Sequence, residues 1–303
     1  MPAKVKPTFD LSRASSVIPE LLEHYASADD RGLAFYQMNP IAVMGRVARG
    51  ELRPYRCGGH PCLAVIRENR MDGKRGVYVL SRPGMTSQEF VGVVRQLLRE
   101  GFQVLDVPPK FRDYYGAKKV TLGFPECLGH TQNLFDMVPS RDRSYLRKCD
   151  SLLELLPVGA AEVPLALTVH NLWFADAKKR YRFVTGRALH GDVLTHWPEF
   201  VKVIPEVFKP TAFVAVLKET RVPVVVSLAV RMTTGVWANV VRRCTKDAPN
   251  QTALWSWQKA AAIFREVPLC NDGIAGGSAG LAQYKAKVGF SGQFPSLLLE
   301  GTV

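Results

Sequence analysis

Apolar positions along the chain switch period several times, and each switch marks an element. Over residues 17–25 they recur at helical spacing, with Pro19 tolerated in the first turn. Residues 33–48 read as a second helix, interrupted at Pro40. Strand patterns follow at 52–56 and 62–67, flanking Gly58-Gly59-His60-Pro61, and again at 76–81 after the Asp72-Gly73 turn. Ser87 caps a helix whose Phe90, Val93, Val94, Leu97 and Leu98 form one stripe, and Gly101 follows its end. Further strands are expected at 102–107, 120–124 and 133–138, then a basic helix over 140–149.

The second half repeats the mixture. Residues 165–178 carry Leu165, Val169, Leu172 and Trp173 on one helical side, and 197–208 read as an irregular helix. Three strands at 211–218, 222–232 and 236–243 are joined by Glu219-Thr220-Arg221 and Thr233-Thr234-Gly235, an antiparallel meander. Pro223 places the second of these at an edge, or marks where it starts. A helix over 252–264 leads to a short apolar strand ending in Asn271-Asp272. A glycine-rich loop, a short helix with Tyr284 and Lys285, and Gly289-Phe290 close the unit. Strands meeting by hairpins, with helices packing on the sheets, predict an α+β (mixed α/β) fold. The 303 residues suit two domains, 1–150 and 151–303, with the boundary in 151–162 just after the basic helix.

Charge changes this picture most. Forty Lys and Arg against 27 Asp and Glu give +13. That excess favours a polyanionic partner: nucleic acid, an anionic surface or a phosphorylated ligand. No run of about 18 apolar residues occurs, so no membrane span is expected. The N-terminus lacks an apolar h-region, and six scattered cysteines show no framework spacing, so a reduced, cytoplasmic protein is expected. Cys57, His60 and Cys62 cluster, but a zinc site wants about four ligands, so no metal is expected there.

The candidate chemistry gathers near the C-terminus. Glycines such as Gly276 and Gly277 let a backbone approach a ligand, Ser278 adds a hydroxyl, and amides at a helix start favour anions. Lys285 adds a positive charge about one turn into that helix. Together these can hold a phosphate or a developing oxyanion. On the meander, period-2 alternation puts Trp237, Asn239 and Arg243 on one face and Arg242 on the other. Trp237 can stack on a base or an acceptor ring. Arg143, Arg147 and Lys148 of the basic helix are candidate phosphate contacts.

The run Gly280-Leu281-Ala282-Gln283-Tyr284-Lys285-Ala286-Lys287-Val288-Gly289-Phe290 resembles the G-L-x-x-aromatic-K-x-x-[FV]-G signature of Fem-type and related tandem GNAT acyltransferases. The hairpin over 213–227 and the Arg-Lys helix over 143–148 are similar to the same group. The resemblance implies two GNAT-like domains in tandem, each a mostly antiparallel sheet flanked by helices. The second would carry the better-formed site. It implies transfer of an aminoacyl group from aminoacyl-tRNA to the amine of a small-molecule or cell-wall-type acceptor, with no bound cofactor. An acyl-CoA donor is the alternative, although no Arg or Gln opens the glycine loop as the usual coenzyme A pattern requires. A nucleic-acid binder or modifier on the same scaffold is a third reading.

Acyl transfer to an amine needs alignment, loss of an amine proton and stabilisation of the oxyanion. The resemblance gives Lys285 the oxyanion, or the donor's negative charge, with Tyr284 beside it. Asp272, at a strand end, is the first candidate to position or deprotonate the amine. Asn271 would orient Asp272 or bind substrate.

Overall fold

The computed structural model describes residues 8–31, 35–65, 75–123, 125–136, 138–180, 186–274 and 279–302. The chain opens with three helices, α1 (Leu11–Ser15), α2 (Ile18–Arg31) and α3 (Pro40–Ala48). Pro40 does not interrupt a helix. It begins α3, where its missing N–H and fixed φ are harmless, and the Asn39 side chain caps it by accepting from the Ala42 N–H at 2.9 Å. Next come β1 (Leu52–Cys57), β2 (His60–Val65), β3 (Gly76–Val79), α4 (Ser87–Arg99), β4 (Gln103–Val107), β5 (Ala117–Leu122) and β6 (Glu126–His130). Thr86 rather than Ser87 caps α4, in a reciprocal box with Glu89.

The basic helix is α5 (Ser140–Leu152), and β7 (Leu153–Pro157) follows without a break. Helices α6 (Val163–Arg180), α7 (Arg187–Thr195) and α8 (Trp197–Val203) precede the meander β8 (Thr211–Leu217), β9 (Pro223–Arg231) and β10 (Val236–Cys244). The chain finishes with α9 (Thr252–Ile263), β11 (Leu269–Ile274), α10 (Ala279–Val288), β12 (Gly292–Phe294) and β13 (Leu297–Thr302).

The strands form two sheets, in the orders β1-β2-β3-β4-β13-β5 and β12-β6-β11-β10-β9-β8-β7. Each is antiparallel except for one parallel pair, β3 with β4 and β10 with β11. This is the mostly antiparallel tandem arrangement expected. The sheets nevertheless exchange strands across residue 150: β6 lies in the second sheet and β13 in the first. The expected linker at 151–162 contains β7, an edge strand on β8, and no strand forms over the described part of 133–138.

Cores explain the layering. β9 is an interior strand, buried at its seven middle positions, because helices cover both faces of its sheet. On one face, Val226, Leu228 and Val230 join α6, α7 and the N-terminal Ile41, Met44 and Val47. On the other, Val225 and Trp237 pack with Trp255, Trp257 and Phe264 of the α9 region. A third core lies between the first sheet and α4. Helix α3 therefore reaches β9 of the second sheet as well as β1 of the first, and α1 and α2 join the same core, tying the start of the chain to its later half.

Candidate functional site

β10 and β11 run parallel only from Val236–Leu269 to Ala238–Asn271. There β10 bulges, with a register shift against β9 between Asn239 and Val241. A bulge inserts one residue and breaks the two-residue alternation. Val240 and Val241 accordingly both enter the core on the α6 side. Beyond the bulge the faces are exchanged: Asn239 and Arg242 both reach Asp272, while Arg243 turns to α6. The expected grouping of Asn239 with Arg243 is corrected by this one inserted residue.

Asp272, at the open end of β11, is the hub. It accepts from Asn239 Nδ2 at 3.1 Å through Oδ1, and Arg242 Nη1 lies 3.7 Å from the same oxygen. Lys285 Nζ pairs with Oδ2 at 3.2 Å and donates to the Asp272 carbonyl at 2.7 Å. Lys285 is buried, an unusual state for a lysine unless it is paired. Burial opposes the charge of Arg242, yet Asp272, with Tyr284, Cys244 and Cys270, together outweigh it and raise the pKa. Arg242 also sits 3.9 Å over the Trp257 ring, a cation–π contact in the core.

Tyr284, next to Lys285, turns the other way. Its ring stacks on Trp257 at 6.2 Å and it does not line the cavity described below. Trp237 is also a core residue, stacked on Phe264 at 5.0 Å with Nε1 donating to Thr131 Oγ1 at 3.0 Å. It has no free face for a ligand. Asn271 is structural around the turn: its Oδ1 accepts from the Gly273 N–H at 2.9 Å and its Nδ2 donates to Glu126 Oε2 at 2.7 Å. Gly276, Gly277 and Ser278 lie outside the described residues. Arg143, Arg147 and Lys148 are exposed on α5.

Two parting strands leave unpaired backbone groups, which must find partners. Tyr36, from the turn before α3, supplies one. Its hydroxyl donates to the Asn239 and Val240 carbonyls at 3.0 and 2.8 Å. Burial first, then the nearby Asp272, push the phenol's pKa far up, so it stays a protonated donor. Gly273 has φ +69, and a Cβ there would come within 3.1 Å of the Tyr36 ring, so the ring needs a glycine beneath it.

A cavity of about 510 Å³ opens beside this split. Asn239, Val240, Arg242, Asp272, Gly273 and Lys285 form one wall. Tyr36, Gln37, Asn39, Ala42 and Arg46 form a second, and Trp173, Gly186, Leu189 and His190 a third. Three cations line it against one carboxylate. Glu126 lies behind, accepting from the Tyr36 N–H at 2.7 Å, and burial pushes its pKa to about 8. Asp106, at a φ of 49°, is likewise raised by burial, with Arg46 acting against that rise.

Arg243 has a different setting. It donates to Nδ1 of His170 and, at 2.9 Å, to Nδ1 of His190, and lies 4.3 Å over the Phe174 ring. Burial pulls its pKa down to about 9, so it remains charged near neutrality. Burial, then Arg243 itself, lowers His170 to about 4 and holds His190 well below the usual imidazole range.

Sequence reasoning missed Tyr36, Arg46, Glu126 and His190, and it turned Arg242 away. None belongs to a local motif; the fold assembles them from β6, α3, α7 and the bulge. Among the described residues, no group of three His, Cys, Asp or Glu could hold a metal ion, and no helix is long and apolar enough to cross a membrane.

No protein-family model and no curated protein matches the chain's sequence. Its structure does have counterparts. A conserved protein of unknown function from Bacteroides thetaiotaomicron superposes with a TM-score of 0.72 at 11% identity, covering 94% of this chain and 97% of that one. The C-terminal domain of a putative lysylphosphatidylglycerol synthetase from Agrobacterium fabrum gives 0.62 at 14%, covering 96% and 93%. FemX gives 0.61 at 10%, covering 92% and 95%. The fold is the one shared by FemX and that synthetase domain. At these identities the likeness shows the fold, and the chemistry has to be argued from the site.

Proposed function

We propose that this protein is an acyltransferase that moves an aminoacyl group from aminoacyl-tRNA to an amine, with the chemistry at the split between β10 and β11. The observation that carries the reading is Lys285: a buried ammonium, held by Asp272, on the wall of a cavity large enough for a small acceptor. In the reaction, the amine nitrogen attacks the ester carbonyl carbon. The C–N bond forms, the ester C–O bond breaks, and the tRNA hydroxyl leaves with the proton that the amine gives up. Lys285 Nζ donates to the carbonyl oxygen as it becomes anionic. A fixed donor in a dry site is worth most there.

Asp272 acts as a positioning residue. A carboxylate whose two oxygens are held by Lys285, Arg242 and Asn239 is well placed to aim Lys285. Tyr284 contributes by packing α10 against Trp257.

The +13 charge and the exposed cations of α5 support a tRNA donor. So does the shared fold with FemX and a putative lysylphosphatidylglycerol synthetase domain. An acyl-CoA donor has less support, because Tyr36 already occupies the strand carbonyls that an amide-bearing arm would pair with. The test is donor discharge. Purified protein is incubated with tRNA charged with labelled amino acids, and separately with acyl-CoAs, each with cell extract as the acceptor source. Label passing from tRNA into an amide supports the reading. Transfer from acyl-CoA alone replaces the donor, and transfer from neither rejects the reading.

A further inference from the structure

The cavity has two unmet demands at opposite walls. The first is an acceptor. Asn239 is 4% exposed and lines the cavity. Its amide orientation is fixed, because the nitrogen must face the Asp272 carboxylate at 3.1 Å. That leaves Oδ1 buried with no hydrogen-bond partner among the described residues. A buried carbonyl oxygen without a donor is costly, and a donor entering the cavity would relieve that cost.

The second demand is for an anion. Arg46 lines the second wall and makes no direct ion pair among the described residues: its Nη2 donates to the neutral Gln37 Oε1 at 2.7 Å, it also bonds the Tyr78 hydroxyl, and the buried Asp106 carboxylate offsets only part of its charge from a distance. Across from it, His190 accepts from Arg243 through Nδ1, which fixes the ring proton on Nε2. His190 is thus a neutral N–H donor on the cavity wall, with the Arg243 charge behind it. His170 has the same tautomer for the same reason, and its Nε2 donates to the Arg187 carbonyl at 3.2 Å. Arg243 itself pairs with no carboxylate among the described residues. One cation, Arg46, and a neutral N–H, His190 backed by the buried Arg243, therefore line the cavity together.

We infer that the acceptor bound here is an amine that carries an anionic group, its nitrogen at Asn239 Oδ1 and its anion between Arg46 and His190. The nitrogen then lies on the same wall as Lys285, where the proposed transfer needs it. The inference rests on the acyl-transfer reading for its assignment of the ligand as acceptor. Its binding chemistry rests on the cavity alone. A carboxylate and a phosphate share the required chemistry, so the source is left to the experiment.

Calorimetric titration of the full chain, with no donor present, tests it. The probes are ω-amino acids from glycine to 6-aminohexanoate, the aminoalkyl phosphates of matching length, and the corresponding alkylamines and alkyl carboxylates. Amino acids or aminoalkyl phosphates should bind at least about tenfold more tightly than either single-function series, with one optimal length. The tighter of the two identifies the anion.

Arg46→Gln, on the half-buried face of α3, should remove that advantage while leaving alkylamine binding as it was, and Arg46→Lys should restore part of it. Alkylamines binding as well as the two-function probes would overturn the inference, as would no binding by any probe, or Arg46→Gln weakening every series alike. Donor discharge onto a plain alkylamine with full efficiency would sink this inference and leave the acyl-transfer reading standing. Selective binding with no discharge from either donor would do the reverse.

Discussion

The hydroxyl of Tyr36 and the carbonyl of Val240 lie 2.8 Å apart, although 204 positions separate the two residues in the chain. A side chain from the N-terminal helices thus closes a gap that a bulge opens in the second sheet. The gap is needed, because parallel strands that kept pairing would leave no cavity beside Asn239 and Asp272.

Tyr36→Phe should keep the ring over Gly273 and lose only the donor. The two carbonyls border the cavity, so water can replace part of the bond, and the expected destabilisation is about 1 kcal/mol. Urea unfolding followed by tryptophan fluorescence measures it. A variant as stable as the parent would show that the phenol contributes nothing to closing the split.

Lys285→Ala removes the ammonium from the cavity wall. In the donor-discharge assay the expected loss is about 10²–10³-fold in turnover, the usual effect of deleting one oxyanion donor. Arg242 and Asn239 still hold Asp272, so the circular dichroism spectrum should not change. Undiminished turnover would take Lys285 out of the mechanism.

Asp272→Asn separates two roles. If Asp272 aims Lys285, turnover falls by a constant factor across the pH range. If it removes the amine's proton, the deficit shrinks as pH rises and the free amine becomes available. The ion pairs predict the first outcome, and a pH profile of the variant between mild acid and mild base decides.

Glu126 makes stability depend on pH. Burial holds its folded-state pKa near 8, above its ordinary 4.5, so the folded protein keeps a proton that the unfolded chain releases. This contribution is fully present below about pH 4.5 and is lost as pH rises through 8. Glu126→Gln should flatten the decline in unfolding free energy across that window. A decline as steep as in the parent would mean that the group responsible lies elsewhere.

The meander, the helices on either side of it and the position of Lys285 were legible from periodicity and one local signature. These features depend on neighbours in sequence. Strand β6 was not legible: Glu126 to His130 is short, holds a glycine, and is defined by pairing with β11 and β12 far along the chain. The side of Arg242 was lost for another reason. Alternation assumes an unbroken pleat, and nothing in Val-Trp-Ala-Asn-Val-Val announces the extra residue. Tyr36 and Glu126 meet only because the N-terminal helices fold onto the later sheet.

The placement of β13 has a consequence for how the chain must be made. It pairs with β4 on one side and β5 on the other. During synthesis both partners emerge well before Leu297, so each waits with an open edge, the condition that invites pairing with other chains. β6 waits in the same way for β11. Neither sheet can finish without strands from the other side of residue 150, and the first sheet closes only once β13 has been translated. The two sheets should therefore melt together, and a nick ahead of residue 297 should unravel the first sheet although it cuts none of that sheet's other strands.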